Sequence, residues 1–299
     1  MNFGHLAIFH AVLRSGSVSR AAEQLMISQP AVSKQLKELE RSLGTALFDR
    51  LPKGMRPTPA GELLGEYASR IFSTAIEAGQ ALDELRGLRR GKLIVGASTT
   101  IGVYLLPEVF VAFRRKFPDV QLELEIANSD VILKRLEDGA IQLGLTEGVI
   151  ASGSVQTSAF ATDRLVAIAP CDHPLSRKRS IDAKTLCREP FIVRETGSGT
   201  KSVVERALIA RGLSIQPAMS LGSTEAIKRA VAGGVGVAIV SELSIRLELE
   251  ARRLVKLRVS DLEIERPLHR LMLPGRNETS VVAAFMAMIA SVIKGVKLK

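Results

Sequence analysis

Cysteine is scarce: Cys171 and Cys187 are the two in 299 residues, too few for a disulfide framework and in keeping with a reducing compartment. No apolar run reaches the ~20 residues that cross a bilayer. The longest near the end, residues 281–293, is interrupted by Ser291 and reads as a core helix. The opening Met1-Asn2-Phe3-Gly4-His5 lacks the basic start, apolar run and small-residue cleavage site of a secretory signal, so a cytoplasmic protein with no membrane partner is expected. Low-complexity tracts and short-period repeats are absent. The four histidines, His5, His10, His173 and His269, have no metal-ligand spacing among themselves or with the cysteines. No set of Ser, His and acid announces a nucleophile. Neither a metal, another cofactor nor an enzyme is therefore expected. Gly233-Gly234-Val235-Gly236 follows a helix and precedes a strand, the reverse of a dinucleotide-binding turn, and reads as a helix stop.

What is present is a globular composition, 46% hydrophobic and 24% charged, with a net charge of +10. The length allows two or three domains. A basic chain suits a polyanion, because its cations release counterions from phosphates, and equally suits a generally basic protein. Residues 1–90 hold twelve Lys and Arg against nine Asp and Glu; between Arg14 and Arg56 the balance sharpens to eight against four.

Leu6, Phe9, Val12 and Leu13 recur at helical spacing up to Ser15-Gly16, which predicts a helix over 3–15. Ser17 or Ser19 can cap a second, short helix over 20–26, whose Ala21 and Ala22 permit close helix approach. After a three-residue turn, Ser28 is placed as N-cap with Pro30 in the first turn of a third helix running to about Leu43. Val32, Leu36, Leu39 and Leu43 face its core; Ser33, Lys34 and Lys37 face out. A helix in the major groove uses its N-terminal residues on base edges, which nominates Gln29, Pro30, Ala31, Ser33 and Lys34, with Ser19, Ser28 and Lys37 flanking. Arg50, Lys53 and Arg56 surround Pro52 and Gly54 in a hairpin-like turn, either a wing beside the recognition helix or a solvated loop.

Thr58-Pro59 starts a long helix, residues 59 to about 88, of roughly 45 Å. Leu64, Ala68, Ile71, Ala75, Ala78, Leu82 and Leu85 alternate spacings of four and three. This is either a dimer seam or an intramolecular core stripe. Beyond residues 86–92 strands alternate with helices, which implies mostly parallel sheets covered on both faces, with ligands beyond the carboxyl ends of strands. Helices are predicted over 105–117, 130–138 and 279–294, and strands over 92–97, 120–126, 141–145 and 268–274. Small hydroxylic residues recur at strand-to-helix junctions: Ser98, Thr99 and Thr100; Thr146; Thr196, Ser198, Gly199 and Thr200; Ser223 and Thr224. They are either ordinary N-caps or, converging on one cleft, a site for a small anion. Arg194 could face such an anion, although an arginine ending a strand is more often a surface residue. Cys171 and Cys187 could form a redox switch, but Cys187 beside Leu186 reads as buried and inert.

The run Gly16-Ser17, Ala21-Ala22, Leu25, Ser28-Gln29-Pro30-Ala31-Val32-Ser33, Leu39-Glu40, Leu43-Gly44, Leu47-Phe48, Arg50, Thr58 and Ala60-Gly61 resembles the N-terminal signature of the LysR family of transcriptional regulators. Val18, often Phe there, and Pro57, often Leu, depart from it without touching the base-reading positions. The resemblance implies an α/β chain with three parts: a winged helix-turn-helix over 1–58, a linker and dimerisation helix over 59–90, and a periplasmic-binding-protein-like effector domain over 91–299. Its lobe I is expected at about 91–161 and 267–299, lobe II at about 162–266. It further implies promoter DNA as partner, an effector at positions including Ser98, Thr100, Thr146 and Thr224, which the helix starts make a small anion, and a homodimer that pairs into a homotetramer; RNA polymerase is a further partner to consider. The stretch Arg194-Glu195-Thr196-Gly197-Ser198-Gly199-Thr200 resembles a subgroup associated with inorganic carbon and sulfur assimilation. A second class stays open, a two-lobed solute-binding or enzymatic protein with a helical dimerisation cap, but such a cap needs neither the Gln29 to Lys34 motif nor a basic wing.

Overall fold

The computed structural model describes the chain except residues 1, 52–53, 86–90, 149–153, 276–277 and 297–299, and except the side chains at 50, 73, 76–77, 80–81, 83–85 and 295–296. Two compact units emerge, residues 1–79 with 137–139 and residues 80–136 with 140–299.

In the first unit each helix is bounded by the chemistry its ends need. The Asn2 side chain accepts from Gly4 N at the start of α1 (Phe3–Ser15), and Gly16, at φ 64°, ends it in the left-handed region. Ser17 caps α2 (Val18–Leu25), which begins two residues earlier than the apolar pattern suggested and ends at Met26, also left-handed. Ser28 accepts from Ala31 N at the start of α3 (Gln29–Leu43). Leu43 is exposed rather than core-facing, because the Gly44 stop turns the chain away there. Leu6, Phe9, Val12, Ala21, Val32, Leu36 and Leu39 form one core with Leu47 and Phe48. Strands β1 (Phe48–Leu51) and β2 (Gly54–Pro57) pair antiparallel, Phe48 opposite Pro57. Gly54 lies so close to the first helix corner that a Cβ there would sit 2.7 Å from the Gly16 carbonyl oxygen, while Met55 N donates to the same oxygen. The hairpin is thereby tied to the turn before the second helix. Helix α4 (Pro59–Leu85) follows, with Thr58 Oγ1 accepting from Gly61 N.

The second unit runs β3 (Gly91–Ser98), α5 (Thr99–Tyr104), α6 (Leu106–Lys116), β4 (Val120–Ala127), α7 (Ser129–Glu137), β5 (Leu143–Glu147) and β6 (Gln156–Pro170). It continues with α8 (Ala183–Leu186), β7 (Phe191–Arg194), α9 (Gly199–Ile209), β8 (Pro217–Leu221), α10 (Thr224–Ala232), β9 (Ala238–Ser241), α11 (Arg246–Glu250), β10 (Leu254–Leu257), β11 (Ile264–Met272) and α12 (Ser280–Val296). The helix expected over 105–117 is α6, and a short helix that the pattern did not give, α5, precedes it directly after β3, the two meeting at Leu105.

The expectation of mostly parallel sheets needs correcting. The large sheet has the order β10-β6-β11-β5-β3-β4, with β9 also on β6. β3 pairs parallel with β4 and β5, but β11 runs antiparallel to both β5 and β6, and β9 and β10 antiparallel to β6. Periodicity identifies a strand but not its partner, so the two long strands that cross back between lobes could not be oriented from pattern. Those crossings separate the cores. One core joins Leu93, Val95, Ile101, Leu106, Phe113 and Leu143 to Phe285 and Ile289 of α12; another joins Leu165, Ala167, Leu186, Phe191, Val204, Leu208 and Ile239.

Candidate functional site

The exposed end of α3 carries the residues nominated for base reading. Ser28, Gln29 and Pro30 are exposed, as are Lys34, Lys37 and Ser19, whereas Ala31 and Ser33 are half-buried. Ser28 spends its hydroxyl on the cap, which leaves Gln29 as the first free polar side chain of the helix. On the hairpin, Arg56 is exposed and pairs with Asp49 at 3.3 Å. An ion pair this exposed is weak and does not hold the guanidinium back from a phosphate. Lys53 and the side chain of Arg50 lie outside the described residues.

The seven-residue stripe of α4 divides. Ala68 is fully buried in the core of the first unit, with Leu64 and Ile71 packed beside it; these three serve their own chain, because that part of the helix lies against α1. Ala75, Ala78 and Leu82 are exposed, and the Leu85 side chain lies outside the described residues. Leu63 and Tyr67, one turn apart, are exposed too.

In the second unit the hydroxylic junctions converge where the lobes meet. Ser98, Thr100, Thr146, Ser198, Thr200 and Thr224 are all buried, and Thr99 and Ser223 half-buried. They are not ordinary caps: no side-chain cap bond forms at Ser98, Ser198 or Ser223. Thr146 Oγ1, Ser198 Oγ and the nearby Ser129 Oγ are buried with no hydrogen-bond partner among the described residues, a costly state that a ligand would relieve. Gly199 is required beside these hydroxyls for a steric reason. A Cβ there would lie 2.2 Å from the Glu147 carbonyl oxygen, so glycine lets the start of α9 close on the end of β5. Thr196 is solvent-exposed.

Four charged residues that sequence reasoning missed or discounted organise these hydroxyls. Arg266, 1% exposed, meets Asp163 at 2.7 Å and Glu147 at 3.4 Å and donates to Thr200 Oγ1 at 2.8 Å and Thr100 Oγ1 at 3.2 Å. Ser98 and Thr100 donate to the Glu147 carboxylate, and Ser241 donates to Asp163 at 2.8 Å. Arg194 is buried, not at the surface. It forks onto Glu195 and donates to Thr224 Oγ1 at 3.2 Å and across the lobes to Thr99 Oγ1 at 3.4 Å. Burial pushes the Glu147 carboxyl up, Asp163 adds to this, and Arg266 opposes it. Burial alone would also raise Glu195, but the hydrogen bonds and charge of Arg194 overcome it and hold Glu195 low. A signal for Arg266 existed: in the alternation of β11 it occupies the inward register with Ile264 and Leu268. Glu147 likewise ends a strand buried along its whole length.

A second link between lobes joins Tyr104 to Glu225 at 2.5 Å, with Lys228 held by Glu225, Glu248 and the Ser244 carbonyl. A cavity of about 910 Å³ opens elsewhere, beneath β6, β9 and β10, walled by Leu165, Ala167, Ile239 and Leu257; none of the nominated effector residues lines it. Cys171 is exposed, donating to the Arg252 carbonyl; Cys187 is half-buried, and burial pushes its thiol up.

Residues 3–62 match the model of the bacterial regulatory helix-turn-helix protein, lysR family, and residues 86–294 match the LysR substrate binding domain. A RuBisCO operon transcriptional regulator of Allochromatium vinosum is 36% identical over 286 residues, covering 96% of this chain and 94% of that protein. A probable RuBisCO transcriptional regulator of Emiliania huxleyi is 37% identical, with the same coverage. Among solved structures, the regulatory domain of CcmR from Synechocystis PCC6803 in complex with 2-PG is 29% identical, with a TM-score of 0.64 over 69% of this chain and 98% of that one. A full-length OxyR variant from Pseudomonas aeruginosa, 23% identical, shares the fold with a TM-score of 0.75 over 98% of this chain and 95% of its own. The reading of the N-terminal part as a mere dimerisation cap is set aside by the first of these matches, and the chain belongs to the LysR family of transcriptional regulators, a DNA-binding helix-turn-helix followed by an effector-binding domain.

Proposed function

We propose that this regulator senses a small oxyanion, of the phosphomonoester kind, in the cleft lined by Ser98, Thr99, Thr100, Thr146, Ser198, Thr200, Ser223 and Thr224, and passes its occupancy to promoter DNA held by α3. The observation that carries the reading is Arg194: a buried guanidinium touching Thr224 of one lobe and Thr99 of the other, in a region whose buried hydroxyls include three with no partner among the described residues. Hydroxyls and a guanidinium in a dry cleft satisfy oxyanion oxygens with charge-assisted bonds. CcmR, whose regulatory domain was solved with 2-PG, supports 2-phosphoglycolate as the first compound to try, and the relatives named for the RuBisCO operon support carbon-fixation genes as targets.

Gln29 and Lys34 read bases, and Lys37, Arg56 and the hairpin hold phosphates. The protein acts in the cytoplasm as a regulator and catalyses no reaction; no helix among the described residues is long and apolar enough to cross a membrane. It pairs through the exposed part of α4, where Leu63, Tyr67, Ala78 and Leu82 fall within about 100° of arc on a 3.6-residue helix, a seam shifted from the one the heptad pattern suggested. Two dimers assemble as a tetramer, and RNA polymerase is met at the promoter. Effector binding biases lobe closure and thereby the spacing of the DNA-bound pairs, a population shift between two arrangements.

The test is a calorimetric titration of the full-length protein with 2-phosphoglycolate. Thr100→Ala and Thr224→Ala should each weaken binding by roughly tenfold, as loss of a bond to a charged group does. A response that neither substitution alters sinks the cleft assignment.

A further inference from the structure

Glu147 sits where an anion-binding cleft would least be expected to keep a carboxylate. Its oxygens receive the hydroxyls of Ser98 and Thr100 and lie 3.4 Å from Arg266, so three of the donors available to an oxyanion are taken by the chain itself. The residue is 3% exposed, and water supplies little compensation for its charge. Arg266 already neutralises Asp163 through two short contacts, which leaves two carboxylates sharing one guanidinium.

Resting on the cleft reading above, we propose that the Glu147 carboxylate is an internal stand-in for the effector anion: the two compete for the Ser98 and Thr100 hydroxyls and for Arg266, so the effector binds when Glu147 has taken up a proton. Each neighbouring element contributes to this. β3 and α5 offer the hydroxyls of Ser98 and Thr100; β6 offers the like charge of Asp163; β7 offers Arg194, engaged with Glu195; β11 offers Arg266 and, opposite Thr146, His269; α9 offers the neutral Thr200. An arriving anion adds a like charge beside Glu147 and removes its hydroxyl donors, and both changes disfavour the carboxylate form. The proton comes from solvent and remains on Glu147 in the complex, where the neutral acid can donate to the ligand. Burial and Asp163 already raise this carboxyl in the free protein, which brings proton uptake toward the working pH.

The sign follows from linkage. Above the pKa of Glu147 in the free protein each bound anion must bring a proton with it, and affinity falls as pH rises, by up to about tenfold per pH unit. Glu147→Gln keeps the shape and removes the charge, its amide presenting one acceptor and one donor to the Ser98 and Thr100 hydroxyls. Titrating 2-phosphoglycolate into full-length wild type and variant from about pH 6 to about pH 9 gives an affinity ratio in which the probe's own ionisation cancels. The variant should bind comparably at the acid end and at least roughly tenfold more tightly at the alkaline end. Calorimetry of the wild type in two buffers of different ionisation heat should report uptake of about one proton at the alkaline end. A ratio that stays flat with pH, or falls below one at the alkaline end, overturns the competition while leaving the cleft in place. Wild-type binding that is absent, or indifferent to Thr100→Ala and Thr224→Ala, overturns the cleft reading and the competition with it.

Discussion

The proposed DNA-reading surface and the proposed effector cleft solve opposite problems with similar residues. At the start of α3 a serine caps the helix and the polar side chains after it stand in water, free to be desolvated by DNA. In the cleft, serines and threonines at helix starts make no cap bonds and are buried, some without a partner. A site that meets a large polyanion can remain solvated until contact, because counterion release drives the binding. A site for a small anion must be dry beforehand, so its hydroxyls and charges are preorganised at a cost in stability.

The comparison breaks hardest at Arg266. Arg266→Met strands Asp163 and Glu147 without their cation, and the loss should be about 3–5 kcal/mol, read by denaturant melting of the full chain; a change within experimental error would mean that the cluster is not held by its guanidinium. At the other surface, Gln29→Ala should leave melting unchanged and flatten base preference by about 1–3 kcal/mol at a single position of the binding site, checked by competition gel shifts on point-mutated operators. Lys37→Ala tests the neighbouring role: a phosphate contact predicts weaker binding to all sequences alike, with a log-log salt slope reduced by about 0.9.

Serine by serine the contrast sharpens further. Ser28→Ala loses a cap and about 1 kcal/mol of stability, whereas Ser198→Ala removes a buried hydroxyl with no partner among the described residues and should leave stability unchanged or raise it, by up to about 1–3 kcal/mol, while lowering effector affinity. Equal destabilisation by the two would show that the cleft serines are caps after all. The effect that is smallest at neutral pH concerns His10, stacked on Phe72 and bonded to Ser69 in the first unit. Burial, with Arg14 nearby, lowers its pKa from 6.5 to about 4. Between those values the unfolded chain holds more protons than the folded one, so the contribution is complete above 6.5 and fades as pH falls toward 4. Replacing His10 with Gln should flatten the pH dependence of unfolding in that window; an unchanged slope would place the dependence elsewhere.

Legibility differed between the regions for a physical reason. The caps Ser17 and Ser28, the stops Gly16 and Gly44, and the core positions Leu6, Phe9, Val32 and Leu36 act within a turn or two of themselves, so they can be read in order along the chain. The stripe on α4 was legible as a stripe. Which part served its own core waited on packing, because Leu64, Ala68 and Ile71 look the same as Ala75, Ala78 and Leu82 until α1 covers them. In the effector domain the hydroxylic junctions stood out because each is local. The charges that bind them did not: Arg266 and Thr100 are 166 residues apart, and Arg266 and Asp163 are separated by 103.

Sequence by itself determined the helix-turn-helix, the exposed polar start of α3, the alternation of strands and helices and the places where hydroxyls would collect. These rest on backbone hydrogen bonding and side-chain periodicity, which are short-range. Tertiary structure alone decided that β11 runs antiparallel between β5 and β6, that Arg194 is buried, and that Glu147 and Asp163 share the guanidinium of Arg266. Strand pairing and charge burial are settled by which distant segments exclude water together, and no local pattern of residues encodes that.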